Sequence, residues 1–218
     1  MYEDLKREVI EAARKAEETG LCRPRSGNFS RIDDERRCIL ITPSGLDRMT
    51  MTEDDIIIID RNLKILENKN NRKPSSESLM HVAAYEARPD INAVAHTHSP
   101  CALTFAILEK PVPPVLAESG HLGCGGNRGY IPVAAYGRQG SQALADSVKV
   151  PLSKGDALLL ARHGVMTVSG RGVQDALIKA MYVEDICGAY YRALTVTGGV
   201  EPEIISAADL ELSSPEFK

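Results

Sequence analysis

Hydrophobic positions in the first twenty residues recur at helical spacing. Leu5, Val9, Ala12, Ala13 and Ala16 fall on one stripe with charged residues between them, which predicts an amphipathic helix over residues 2–19 with Gly20 as its C-terminal stop. The period then shortens. CILITPSG (38–45) reads as a strand running into a turn. DIIIID (55–60) reads as a buried strand, and LKILEN after it as a hairpin partner or a successive edge strand. Helical spacing returns at Leu79, Val82, Ala83 and Glu86 and lasts to Pro89, with Ser75 and Ser76 as residue types that cap a helix start. INAVAHTHSP (91–100) is again a strand, stopped by Pro100. Residues 101–109 and 138–148 read as helices, 157–170 as two apolar strands broken by Arg162, His163 and Gly164, and 172–195 as a long helix. The Pro- and Gly-rich stretch between 110 and 137 is longer than a minimal connection, and loops of that length often carry function. From Gly198 the tail is acidic and polar and reads as mobile.

Composition narrows the class without naming a chemistry. The 218 residues carry a formal charge of −4, with 43% hydrophobic and 26% charged residues, an ordinary globular balance large enough for a buried core. Mild acidity gives no electrostatic case for nucleic acid or an anionic membrane as partner. The apolar runs Ile56–Ile59 and Ala157–Ala161 are far too short to span a bilayer, and the charged amino terminus is not that of a signal peptide. Five cysteines without a CxxC pair read as free thiols, which suits a reducing cytoplasm.

Candidate chemistry gathers at the ends of the predicted elements. His96 and His98 are two apart on a strand, so both imidazoles point to one face. They are two surface histidines or two ligands of one metal ion, and a catalytic Zn²⁺ needs a third ligand and an open position. His163 sits at another strand break. Ser26, Gly27, Asn28 and Ser30 form a plain turn or an anion-binding nest. Thr42–Gly45 places a hydroxyl and a glycine at a strand end. Glu77, in the first turn of a helix, compensates the helix dipole or does chemistry, and His81 reads as a packed or half-exposed helix residue.

Taken together, GN (27–28), TPSG (42–45), SSE (75–77), HTH (96–98) and HG (163–164) resemble, in order and spacing, the class II sugar-phosphate aldolases. The likeness runs over roughly residues 5–195 and is nearest to the L-fuculose-1-phosphate branch. Epimerases of the ribulose-5-phosphate 4-epimerase type and methylthioribulose-1-phosphate dehydratases share the fold. The resemblance implies a single-domain α/β/α three-layer fold with a central, mostly antiparallel sheet. It implies homotetramers with active sites at subunit interfaces, one Zn²⁺ per subunit and a small sugar phosphate as substrate. His96, His98 and His163 match the metal ligands. Glu77 matches the catalytic acid/base. Gly27, Asn28, Ser44, Gly45, Ser75 and Ser76 match the positions that bind the substrate phosphate. The reaction implied is reversible cleavage of a ketose 1-phosphate to dihydroxyacetone phosphate and a short aldehyde. That cleavage leaves an enediolate, whose charge a bound Zn²⁺ stabilises as a Lewis acid.

The pattern departs from the branch in one region. A tyrosine that handles the aldehyde-side proton would fall near residues 118–120, where this chain has Glu118, Ser119 and Gly120, then His121. Glu118 is the first candidate for that role and His121 the second. Some members close the site with a C-terminal aromatic, for which the tail offers Phe217. A non-catalytic scaffold of the adducin-head type is the reading from a different class, and the intact histidines with Glu77 argue against it.

Overall fold

The computed structural model describes residues 2–213, so Phe217 lies outside the described residues. Four antiparallel strands come first after helix α1 (Glu3–Glu18): β1 (Asn28–Ile32), β2 (Ile39–Ile41), β3 (Ile57–Ile59) and β4 (Ile65–Glu67). Helix α2 (Ser78–Ala87), strand β5 (Ala93–Thr97) and helix α3 (Pro100–Leu108) follow. The chain then runs through β6 (Val133–Ala134), α4 (Gln142–Ser147), α5 (Lys149–Leu152), β7 (Ala157–Leu160), β8 (Gly164–Ser169), α6 (Val173–Val196) and α7 (Ala207–Ser213). The eight strands form one sheet in the order β4-β3-β2-β1-β5-β8-β7-β6, antiparallel throughout except for the β6–β7 pair. The expected mostly antiparallel α/β/α architecture is the one observed.

Alternation along the strands builds two cores, one on each face of the sheet. Ile39, Ile41, Ile57, Ile59, Val94, Leu158, Leu160, Met166 and Val168 pack on one face against α2, α4 and α5. On the other face Phe29, Leu40, Ile58, Ala93 and Ala95 meet α1 and α6. There too, Ala157, Leu159 and Val165 meet α3 and α6. Strand β5 lies between β1 and β8 and is buried along its whole length. It carries His96 and leads directly into His98.

One expectation changes. The α2 start lies later than Ser75 and Ser76. Ser75 instead accepts the Glu77 N–H at 3.2 Å and receives the Ser78 hydroxyl on its carbonyl at 2.7 Å, so the serines form a turn ahead of the helix and Glu77 occupies its N-cap position. Over its described length the tail makes specific contacts. Glu201 accepts from Lys110 Nζ at 2.6 Å and from Tyr190 OH at 2.5 Å, Ile205 N donates to the Pro114 carbonyl at 2.9 Å, and Leu210 is buried. Its polar composition hides one apolar anchor and one ion-paired anchor. Strand β6 and helix α5 escape the sequence pattern for a simpler reason: elements of two and four residues show no period.

Gly164 follows His163 at the start of β8, and a Cβ there would stand 2.4 Å from the Thr97 carbonyl oxygen and 3.1 Å from both His96 and His98 rings. The strand pair can close beside the histidines only because that atom is absent. Gly164→Ala is expected to cost about 1–3 kcal/mol and lower the thermal midpoint of the metal-free protein by several degrees. Gly20→Ala, where φ is +78° and the space around the Cβ is open, is expected to cost nearer 1 kcal/mol from backbone strain alone.

Candidate active site

Register assembles the site. The β1–β5 pairing sets Asn28 directly opposite His96, and the β5–β8 pairing sets His96 opposite Met166 and Thr97 opposite Val165. His98 stands just past the end of β5, and His163 belongs to the turn between β7 and β8. Three imidazoles from two segments therefore converge at one end of the sheet, on the face covered by α2. Ring centroids lie 4.8 to 5.5 Å apart, and one nitrogen from each falls within 4.8 Å of the others.

The chain's own hydrogen bonds orient this cluster. His96 Nδ1 lies 2.8 Å from the Val165 carbonyl oxygen, which can only accept. The proton of a neutral His96 is thus on Nδ1, and the Nε2 lone pair faces His98 Nε2 at 3.1 Å. Glu77 reaches in from the start of α2, 1% exposed, with Oε2 3.3 Å from His96 Nε2 and Oε1 3.1 Å from His163 Nε2. Asn28 Nδ2 donates to Glu77 Oε2 at 2.7 Å, whereas Oε1 has no hydrogen-bond partner.

Behind Asn28 runs a buried polar chain whose direction is forced. A carboxylate accepts only, so Asn28 turns its amide nitrogen toward Glu77 and its Oδ1 toward His81. His81 Nε2 must then donate to Oδ1 at 2.5 Å, and its Nδ1 accepts from Ser30 Oγ at 2.6 Å. Ser30 Oγ in turn accepts from Tyr85 OH at 2.8 Å. His81 is fully buried. Its expected status as a packed helix residue holds, but its hydrogen bonds give it a share in fixing Glu77 that apolar spacing could not show.

Burial alone would push the Glu77 carboxyl up. The charges of His96 and His163 and the Asn28 hydrogen bond outweigh it and hold the group well below the usual carboxylate range. Burial works against a charge on His96 as well, but the Glu77 carboxylate beside it raises its pKa. Burial and the neighbouring imidazoles push His98 down to about 4 and lower His163. The donor set is one a divalent cation fits: three imidazoles able to be neutral, an orphaned buried carboxylate oxygen beside them, and a backbone carbonyl fixing one tautomer.

A cavity of about 180 Å³ opens beside the cluster, lined by His98, Glu77 and the expected loop residues Gly27, Asn28, Ser44, Gly45, Ser75 and Ser76. Gly27 has φ +73°, and a Cβ on it would stand 2.6 Å from the His96 carbonyl oxygen. The loop must therefore be glycine for two independent reasons. Asn28 lines the cavity and also gives one amide N–H to Glu77 and its Oδ1 to His81, which leaves it a second N–H. Spacing gives no sign of Arg25, Arg48 and Gln139, which also line it.

Glu118 and His121 are not brought to this cluster within one chain. They lie in a 3-10 turn, Ala117–Leu122, tied to the start of β7 by Asp156 N donating to the Leu122 carbonyl at 2.8 Å. His121 stacks on Tyr182 of α6. It lines a cavity of about 340 Å³ with Arg88, Asp156, Ser169 and Lys179. That is the far end of the sheet, roughly 17 Å along β8 from the histidines.

The family described as Class II Aldolase and Adducin N-terminal domain matches residues 7–191. The chain belongs to that family. It is 35% identical to a 5-methylthioribulose-1-phosphate/5-deoxyribulose-1-phosphate aldolase of Rhodospirillum rubrum, over 98% of this chain and 91% of that protein. It is 33% identical to an L-fuculose phosphate aldolase of Haemophilus influenzae, over 98% of this chain and 94% of that one. A solved L-fuculose 1-phosphate aldolase superposes with a TM-score of 0.89 at 31% identity, covering 98% of this chain and 96% of the other. Among the described residues, no helix of this class II aldolase is long and apolar enough to cross a membrane.

His81 gives the site an acid limit. Burial, with His96 acting the same way, pushes its pKa down from 6.5 to about 3. The folded chain therefore holds His81 neutral while the unfolded chain protonates it, so its contribution to stability is complete above about pH 6.5 and is lost as pH falls toward about 3. Denaturant melts of the metal-free protein are expected to show a steeper loss of stability over that window than those of His81→Gln. Parallel pH profiles for the two proteins would contradict this account.

Proposed function

We propose that this class II aldolase reversibly cleaves a ketose 1-phosphate between its third and fourth carbons, giving dihydroxyacetone phosphate and a short aldehyde. The observation that carries the reading is Glu77. It is a buried carboxylate held by Asn28 within 3.3 Å of two imidazoles, at the mouth of a cavity rimmed by glycine and serine. A Zn²⁺ ion held by His96, His98 and His163 would supply Lewis-acid stabilisation of the negative charge that appears as the bond breaks.

The chain's own groups account for the rest. The hydroxyls and backbone of Ser44, Gly45, Ser75 and Ser76 hold the phosphate and so fix which carbon faces Glu77. In the condensation direction Glu77 takes a proton from the hydroxymethyl carbon of dihydroxyacetone phosphate, and in cleavage it returns that proton to the same carbon. The fourth-carbon hydroxyl loses its proton as the aldehyde forms, which calls for a second group on that side. Glu118 is the first candidate and His121 the second. Since both lie at the far end of their own sheet, either would act in the site of another protomer. A homotetramer with active sites at subunit interfaces meets that requirement.

One relative is named for 5-methylthioribulose 1-phosphate and 5-deoxyribulose 1-phosphate and a solved neighbour for L-fuculose 1-phosphate, all of them ketose 1-phosphates. The reading therefore commits to the phosphorylated half and leaves the aldehyde to a screen of polar and apolar candidates. An epimerase or a dehydratase on the same fold is the alternative reaction, and the first experiment separates it. In heavy water, NMR is expected to show exchange of one hydroxymethyl proton of dihydroxyacetone phosphate, abolished by a chelator. A fully metallated enzyme that exchanges no proton would overturn the aldolase reading. Glu77→Gln is expected to keep its metal by elemental analysis and lose exchange by roughly 10²–10⁴-fold. His96→Ala is expected to lose metal and exchange together, and full metal occupancy in that variant would refute the ligand assignment.

A further inference from the structure

Arg48 is the largest fully buried side chain in the protein, at 1% exposure. It lies three residues beyond Gly45, in a turn fixed by Arg14, whose Nε donates to the Arg48 carbonyl at 3.1 Å and whose Nη2 donates to the Met51 carbonyl at 2.6 Å. Its guanidinium runs back under the anion loop. There Nη2 donates to the carbonyls of Ser26, at 3.2 Å, and Gly27. The other two nitrogens, Nε and Nη1, are buried and have no hydrogen-bond partner. Arg48 also lines the cavity shared by Ser44, Ser76 and His98.

This is an unusual place for a positive charge. A buried donor without an acceptor costs free energy, and a buried charge costs more, so each such group calls for an explanation. The nearest carboxylate acting on it is Glu17, which itself has a buried oxygen without a partner and forms no ion pair with Arg48 within 4.0 Å. If stability alone had placed Arg48, that pair would be expected to close. Meanwhile Arg25 is the only other arginine or lysine in the lining, which otherwise offers hydroxyls, two amides, His98, backbone groups and the Glu77 carboxylate. A phosphomonoester dianion entering it would bring two charges beside the Glu77 carboxylate.

We infer that Arg48 sets the charge preference of the phosphate site: its guanidinium, held beneath the Gly27 loop by the Ser26 and Gly27 carbonyls and reaching the cavity lining, favours a dianionic phosphate there. The inference rests on reading that cavity as the phosphate site. Arg48 differs from the rest of the rim in kind. Serines and glycines recognise shape, whereas a buried guanidinium strengthens the response to charge, because a charge-assisted hydrogen bond in a low-dielectric setting is the stronger interaction.

The test is calorimetric titration of inorganic phosphate into the metal-loaded enzyme and into His96→Ala, where the histidine cluster is broken and the loop intact. Both are expected to bind phosphate. Arg48→Gln is expected to bind it roughly ten- to hundredfold more weakly and to raise KM for the sugar phosphate by a similar factor. Its kcat should change much less. Glu17→Gln should bind at least as tightly as the native chain. Native-like phosphate binding by Arg48→Gln would overturn the role of Arg48 while leaving the cavity as the phosphate site. Absence of binding in the native chain and in His96→Ala would overturn both. Should Arg48→Gln fail to fold, NMR of arginine-labelled native protein tests the same contact. Phosphate is expected to shift the Arg48 Nε resonance, assigned by its loss in Arg48→Lys, and an unmoved resonance refutes the contact.

Discussion

A carboxylate buried among three imidazoles is the constraint that organises this molecule. Glu77 is 1% exposed, and a charge that deep must be compensated. The compensation comes from His96 and His163 on one side and Asn28 on the other. Each of these depends on a different part of the fold. Asn28 needs the register of β1 against β5, His163 needs the β7–β8 turn, and Glu77 needs the serine turn ahead of α2. The cation that the donor set fits would replace imidazole protonation as the balancing charge, which is why the same arrangement suits a metal centre and would be a poor purely structural feature.

The rigidity around this constraint is uneven in a useful way. On the inner side everything is fixed: the His96 tautomer by Val165, the Asn28 amide by the chain through His81, Ser30 and Tyr85, and the Gly27 and Gly164 backbones by close approach to their neighbours. On the outer side the serine and glycine rim is partly exposed, with Ser44, Gly45 and Ser76 at the surface. Proton transfer requires the first property, since a small misplacement of the base is costly. Substrate entry requires the second.

Much of this is legible in the sequence, and what is not has physical causes. The long elements announce themselves by period, and alternation along the 91–100 strand sets His96 and His98 on one face, whereas His163, in a turn, joins them only through the family resemblance. His81 reads as packing because hydrophobic spacing reports which face is buried and says nothing about which buried atom is bonded. Arg48 leaves no trace at all. A lone arginine after a turn looks solvated, and only the fold carries it back under residues 26 and 27. The start of α2 reads too early because Ser75 and Ser76 are capping residue types, yet here Ser75 commits its hydroxyl to Glu77 N. The tail reads as loose because its anchors, Glu201 and Leu210, are isolated in a polar segment.

The two ends of the sheet divide the proposed chemistry unequally. In that proposal every group that would hold the phosphate, move the proton at the third carbon or ligate a metal comes from one end of one chain. The segment expected to meet the aldehyde comes from the other end, beside Asp156 and α6. Two relatives at similar identity are named for different sugar phosphates. That is the outcome expected if the phosphate end is fixed by its buried network while the aldehyde end is supplied across an interface. Residues such as Glu118 there are free of the register that binds Asn28 to His96, so changing the aldehyde need not disturb the carboxylate on which the rest of the site depends.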